Sequence, residues 1–134
     1  MAYRVAIVDD SNFDAEYVQS ILKAWAQDRQ ASVQAQRFVS AENFLFHYAD
    51  DKAWDILLLD IEMGAMDGVS LAKRIRQENE LVQIVFITGY SDYIAEGYEV
   101  AALHYLMKPV NQDKLFTVHD RALENRKQEE RCLN

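Results

Sequence analysis

Four apolar runs of this chain end in residues that could do phosphoryl chemistry. Asp9-Asp10 follows Val5-Ala6-Ile7-Val8, and Asp60 follows Ile56-Leu57-Leu58-Leu59. Thr88-Gly89 follows Ile84-Val85-Phe86-Ile87, and Lys108-Pro109 follows the run from Leu103 to Met107. If these ends meet, three carboxylates, a hydroxyl and an ammonium share one hollow. Like charges about 4 Å apart repel by roughly 4 kcal/mol at an effective dielectric of about 20, so crowded acids of this kind need a cation. Oxygen-only ligands suit Mg²⁺ (or Mn²⁺), which keeps several waters and takes one or two carboxylates from protein. A carboxylate beside such an ion can attack phosphorus and form an acyl phosphate. The ion, Lys108 and the Thr88 hydroxyl would stabilise charge on the equatorial oxygens. Asp60 ends the most continuous apolar run, which belongs on a central strand, so it is the expected nucleophile. Asp9 and Asp10 are the expected metal holders.

The elements that would position these residues follow from hydrophobic patterning. The run from Val33 to Val39 alternates and suits an edge strand. Three of the other four runs lack alternation, as expected of strands covered on both faces. Helical spacing fills the intervals. Ser11 can cap a first helix, with Asp14 three residues on, and Phe13, Tyr17, Ile21, Leu22 and Trp25 mark its apolar face. Ser40 precedes a second helix bearing Phe44, Leu45 and Tyr48. Val69, Leu71, Ala72 and Ile75 mark a third after Gly68, with Asp67 as its expected cap. Ser91 or Asp92 is expected to open a fourth, through about Val100. A fifth runs from Asn111 with Leu115, Val118 and Ala122. Strands alternating with helices imply one α/β domain, a (βα)5 doubly wound parallel sheet with helices on both faces. Ligands of such sheets gather at the carboxyl ends of the strands, where the four motifs fall.

Bulk properties narrow the function. The chain has 134 residues, enough for one domain, and a formal charge of −8 from 14 basic and 22 acidic residues. So acidic a domain would repel nucleic-acid phosphates. Cys132 is the only cysteine, which excludes a disulfide framework and reads as an exposed thiol near a frayed end. Nothing in the sequence is long and apolar enough to span a membrane, and the N-terminus does not resemble a signal peptide, so a cytoplasmic location is expected. His47, His104 and His119 have no metal-binding spacing and are expected at the surface or in packing. Met63, Met66 and Met107 are expected to fill the core.

Together, Asp9-Asp10, Asp60, Thr88 and Lys108-Pro109, with the segment Leu58 to Gly68, resemble the response-regulator receiver family of two-component signalling. The resemblance extends from about Val5 to Val118. It implies a flavodoxin-like strand order of 2-1-3-4-5, with residues 1–123 as the receiver and 124–134 as the end of the last helix or the start of a linker. It also implies that Asp60 is the phosphoacceptor, fed by a sensor histidine kinase in a switching rather than an enzymatic role. Asp10, Asp60 and the backbone carbonyl of Glu62 would hold Mg²⁺, with Asp9 acting largely through water. Thr88 would be the switch hydroxyl, Tyr105 the switch aromatic, and Lys108 the phosphoryl partner, joined to Pro109 by a cis bond. Glu62 and Tyr90, two positions beyond Asp60 and Thr88, fall where receivers tune phosphoryl lifetime. The output surface would be the fourth helix, fifth strand and fifth helix, used for homodimerisation. Gly64 stands where the family usually has proline.

The segment Tyr98 to Val110, preceded by Ile87-Thr88-Gly89-Tyr90, is similar to receivers that control LytTR-type DNA-binding domains. DNA would then be met only through a domain beyond these residues, the alternative being a stand-alone phosphorelay receiver. A haloacid-dehalogenase-type phosphatase fits less well, because it wants an aspartate where Glu62 stands. A flavin or nucleotide module would need a phosphate-cradling loop, and Asp9-Asp10 before Ser11-Asn12-Phe13 would repel phosphate.

Overall fold

The computed structural model describes the backbone of residues 2–133 and the side chains of residues 2–129. Five strands and five helices alternate: β1 (Tyr3–Val8), α1 (Asn12–Arg29), β2 (Val33–Phe38), α2 (Ala41–Tyr48), β3 (Ile56–Leu59), α3 (Gly68–Arg76), β4 (Gln83–Thr88), α4 (Ile94–Glu99), β5 (His104–Met107) and α5 (Gln112–Leu133). The strands form one sheet in the order β2-β1-β3-β4-β5, and every neighbouring pair is parallel. The expected fold class and strand order are therefore present.

Side chains of a strand alternate between faces, and the core divides accordingly. Val5, Ile7, Ile56, Leu58, Val85 and Ile87 pack under α1 and α5, around Trp25 and Leu115. Ala6, Val8, Leu57, Leu59, Ile84 and Phe86 pack on the opposite layer, around Phe44, Leu71 and Ile75. A strand buried on both faces reads as an unbroken apolar run, which is why β3 is plain in the sequence. The alternating β2 is an edge strand.

Caps explain most helix starts. The hydroxyls of Ser11 and Ser40 accept from the N–H groups of Asp14 and Asn43, and the Asp67 carboxylate accepts from Ser70 N–H. The fourth helix departs from expectation. Neither Ser91 nor Asp92 caps it; it begins after Tyr93 without a side-chain cap and covers six residues. Gly97 inside it lowers its helix propensity further.

The expected packing of Phe13, Tyr17 and Met107 is corrected, whereas His119 falls within its expectation. Phe13 is 80% exposed and Tyr17 41%, because each step of four residues overruns a helical turn by about 40°. The stripe 21, 17, 13 thus rotates off the sheet, and Ala15 and Val18 take the inward positions. Met107 is 44% exposed, since β5 is the other edge strand. His119 is a packing residue, fully buried against Tyr3 and Trp25. The side chain of Cys132 lies outside the described residues.

Candidate functional site

Sheet register builds the site. Val8 pairs with Leu59, so Asp9 and Asp60 leave adjacent strands at the same level. Thr88 pairs with Met107, which puts Lys108 one residue past Thr88 on the neighbouring strand. Backbone bonds extend the ladder to the site residues: Asp60 N–H donates to Val8 C=O at 2.9 Å, and Lys108 N–H to Thr88 C=O at 2.8 Å. The four motifs therefore converge at one rim.

One carboxylate oxygen each from Asp9, Asp10 and Asp60 lies within 4.8 Å of the others. Asp9 and Asp60 are buried, at 4% and 7% exposure, and Asp10 is open to solvent. Burial and the Asp9 charge push the Asp60 carboxyl up to about 6, against the pull of Lys108. Such a set, mostly dry, all oxygen and more negative than the one nearby ammonium offsets, fits a hard divalent cation with a place left for water or phosphate.

Lys108 Nζ donates to Asp9 at 2.9 Å and to Asp14 at 2.8 Å, and it lies 3.4 Å from Asp60. Burial alone would lower its pKa, but the bonds to Asp14 and Asp9 and the charges of Asp60 and Asp9 outweigh burial and raise it. Thr88 is fully buried, and its hydroxyl has no partner among the described residues. The Lys108-Pro109 bond is cis.

The outer residues are arranged around this centre. Tyr105 is half-buried beside Phe86 and donates its hydroxyl to the Tyr90 carbonyl. The Tyr90 side chain is exposed. The Glu62 side chain is exposed and accepts from the Tyr93 hydroxyl at 3.2 Å. A phosphatase of the haloacid-dehalogenase type would need its general acid at this position, and the carboxylate is already engaged elsewhere. Gly64 has φ of +22°, outside the range of a proline ring, so the departure at this position is built into the loop. Gly68 carries a stricter demand: a Cβ there would lie 2.1 Å from the Asp60 carbonyl oxygen. Its bare backbone lets α3 start directly behind the nucleophile candidate.

Two contributors escaped the sequence reading. Asp14 looked like a capping residue, yet only its N–H serves the cap; its carboxylate binds Lys108. Arg37, on the edge strand β2, was not singled out in the sequence, yet its Nε and Nη2 donate to the Asp9 carbonyl at 3.0 and 2.9 Å, and its Nη1 donates to the Asn12 side chain. Spacing carries no signal for either contact, because each joins segments distant in sequence.

Compared with known families, residues 5–120 match the response regulator receiver domain. The chain belongs to that family. Receivers are phosphoacceptor switches rather than turnover enzymes. Among its relatives, the chain is 32% identical to the sensory transduction protein LytT of Bacillus subtilis over 112 residues, 84% of this chain and 44% of LytT. It is 30% identical to the transcriptional regulatory protein NatR of Bacillus subtilis over 131 residues, 98% of this chain and 53% of NatR. The receiver thus spans about half the length of these curated relatives. Its fold is similar to the response regulatory domain of protein mrkE from Klebsiella pneumoniae, at a TM-score of 0.82 and 23% identity over 93% of this chain and 98% of that one. Among the described residues, no helix is long and apolar enough to cross a membrane.

Proposed function

We propose that this receiver accepts a phosphoryl group on Asp60 from a sensor histidine kinase in the cytoplasm and passes the event on as a change of surface. The observation that carries this reading is the meeting of Asp9, Asp10 and Asp60 beside Lys108 and a buried Thr88 hydroxyl that has no partner among the described residues. In this reading Asp10, Asp60 and the Glu62 backbone carbonyl hold Mg²⁺ or Mn²⁺, and Asp9 acts largely through water. When bound, the ion neutralises the crowded acids and the phosphoryl oxygens.

An Asp60 carboxylate oxygen attacks phosphorus, the P–N bond of the donor phosphohistidine breaks, and the imidazole leaves with its electron pair. Lys108 donates to a phosphoryl oxygen. Thr88 swings to donate to another, which gives its buried hydroxyl the partner it lacks. That movement pulls on the segment holding the Tyr90 carbonyl, so Tyr105 loses its anchor and turns inward. The six-residue α4 has no side-chain cap and suits a two-state element biased by the modification. The α4-β5-α5 face, where Ile94, Tyr98 and Met107 are exposed, is then the surface that dimerises. Glu62 and Tyr90, exposed at the rim, tune the lifetime of the acyl phosphate by governing water access.

Residues 1–123 form the receiver in this reading, and the rest of α5 leads toward an output domain of the LytTR DNA-binding type. Support comes from the segment around Lys108 and from NatR, which is a transcriptional regulatory protein. Incubation with acetyl phosphate and Mg²⁺, followed by intact mass, tests the central step. One added phosphoryl group is expected on the wild type, none on Asp60→Ala and none in excess chelator. An unmodified wild type, or undiminished addition to Asp60→Ala, overturns the proposal.

A further inference from the structure

We infer that Asp14 is a positioning residue that competes with the phosphoryl group for Lys108 and so weakens the phosphorylated state. The inference rests on the phosphoacceptor reading of Asp60. An ammonium has three N–H donors, and two of those of Lys108 are committed, to Asp14 at 2.8 Å and Asp9 at 2.9 Å. Asp60 stands farther off at 3.4 Å, an ion-pair distance too long for a good hydrogen bond. The ammonium is therefore drawn toward α1 and away from the side chain that carries the phosphoryl group.

Asp9 has other ties, since its second oxygen accepts from Ser11 N–H at 2.9 Å and its carbonyl is gripped by Arg37. Among the described residues, the Asp14 carboxylate accepts no other hydrogen bond and has no ion-pair partner besides Lys108. Holding Lys108 is thus the structural use of this acid. The contact is only partly exposed, with side-chain exposures of 18% for Lys108 and 35% for Asp14. Solvent therefore screens it less than an ordinary surface pair. A phosphoryl group on Asp60 adds negative charge and needs the same donor. Each of its contacts with Lys108 is made against the pull of Asp14.

Asp14→Asn keeps the shape and the capping N–H but removes the charge. The probe is beryllium fluoride with Mg²⁺ as a stable stand-in for the phosphoryl group, titrated against the full chain by tryptophan fluorescence or calorimetry. Asp14→Asn is expected to bind about fivefold more tightly than wild type, with the gap narrowing as salt rises. In a Lys108→Met background, Asp14→Asn should change affinity little, because the effect passes through the ammonium; a purely structural effect would persist there. Unchanged or weaker binding by Asp14→Asn overturns the inference, as does a full gain that survives Lys108→Met. A wild type that fails to bind beryllium fluoride at all counts instead against the phosphoacceptor reading itself.

Discussion

The two rims of the sheet are built on opposite electrostatic terms. At the carboxyl rim, Asp9, Asp10 and Asp60 crowd together, the buried Thr88 hydroxyl has no partner among the described residues, and Lys108 is shared among three acids. At the amino rim, Asp55, Gln83 and Arg76 are paired, and among the described residues the buried Nε2 of His119 is the exception there. Asp55 accepts from Arg4 N–H at 2.8 Å and meets Arg126 at 3.4 Å. Gln83 donates to the Ala122 carbonyl at 2.7 Å and accepts from Asn125 at 3.0 Å. Arg76 donates to the carbonyls of Val100 and Val82. A buried polar group left unpaired costs about 1–3 kcal/mol, so the amino rim is arranged for stability and the carboxyl rim is held under strain by the rest of the fold. A cation would relieve the crowded acids, and a phosphoryl oxygen would give the Thr88 hydroxyl a partner.

That contrast can be broken most forcefully at Gly68. Gly68→Ala drives a methyl carbon into the Asp60 carbonyl, and we expect a loss of about 3 kcal/mol in urea unfolding together with most phosphoryl uptake. A stable, fully phosphorylated Gly68→Ala would show that Asp60 is not fixed from behind.

The rims should also respond oppositely to acid. Near the amino rim, burial lowers the His119 pKa to about 4. Stability owed to neutral His119 is complete above its unfolded pKa near 6.5 and drains away as pH falls toward 4, by up to about 3 kcal/mol. His119→Phe should flatten this limb of a stability–pH curve, and an unaltered slope would refute the assignment. Asp60 behaves in reverse. Its folded pKa of about 6 lies above the usual aspartate value of 3.8, so its ionised form costs stability above pH 6, and the cost disappears as pH falls toward 3.8. In chelator at pH 7, Asp60→Asn should gain about 2 kcal/mol, with the gain vanishing at low pH and shrinking when Mg²⁺ stabilises the wild type. Removing an acid at the other rim should have the opposite sign. Asp55→Ala should lose about 1 kcal/mol, because it strips Arg4 N–H and Arg126 of a partner. Equal signs for Asp60→Asn and Asp55→Ala in thermal unfolding would erase the distinction between the rims.

The same contrast explains what the sequence could reveal. β3 and β4 are covered on both faces, so their composition announces them, and parallel topology then sends the residues after each run to one rim. Asp9, Asp60, Thr88 and Lys108 were legible for that reason. Phe13 and Tyr17 misled because apolar spacing alone does not say where a stripe leaves the sheet. α4 was overextended because Ser91 and Asp92 resemble caps but are not used as such. Asp14 and Arg37 were missed because their roles come from contacts across 94 and 28 positions, which no local pattern encodes.

The most direct test of the central claim is to locate the modified carboxylate. After phosphorylation by acetyl phosphate with Mg²⁺, borohydride reduction converts an acyl phosphate of aspartate to homoserine, and peptide sequencing then reads its position. The account predicts homoserine at position 60 alone. Homoserine at position 9, 10 or 14, or an unreduced Asp60 in a phosphorylated chain, would contradict it.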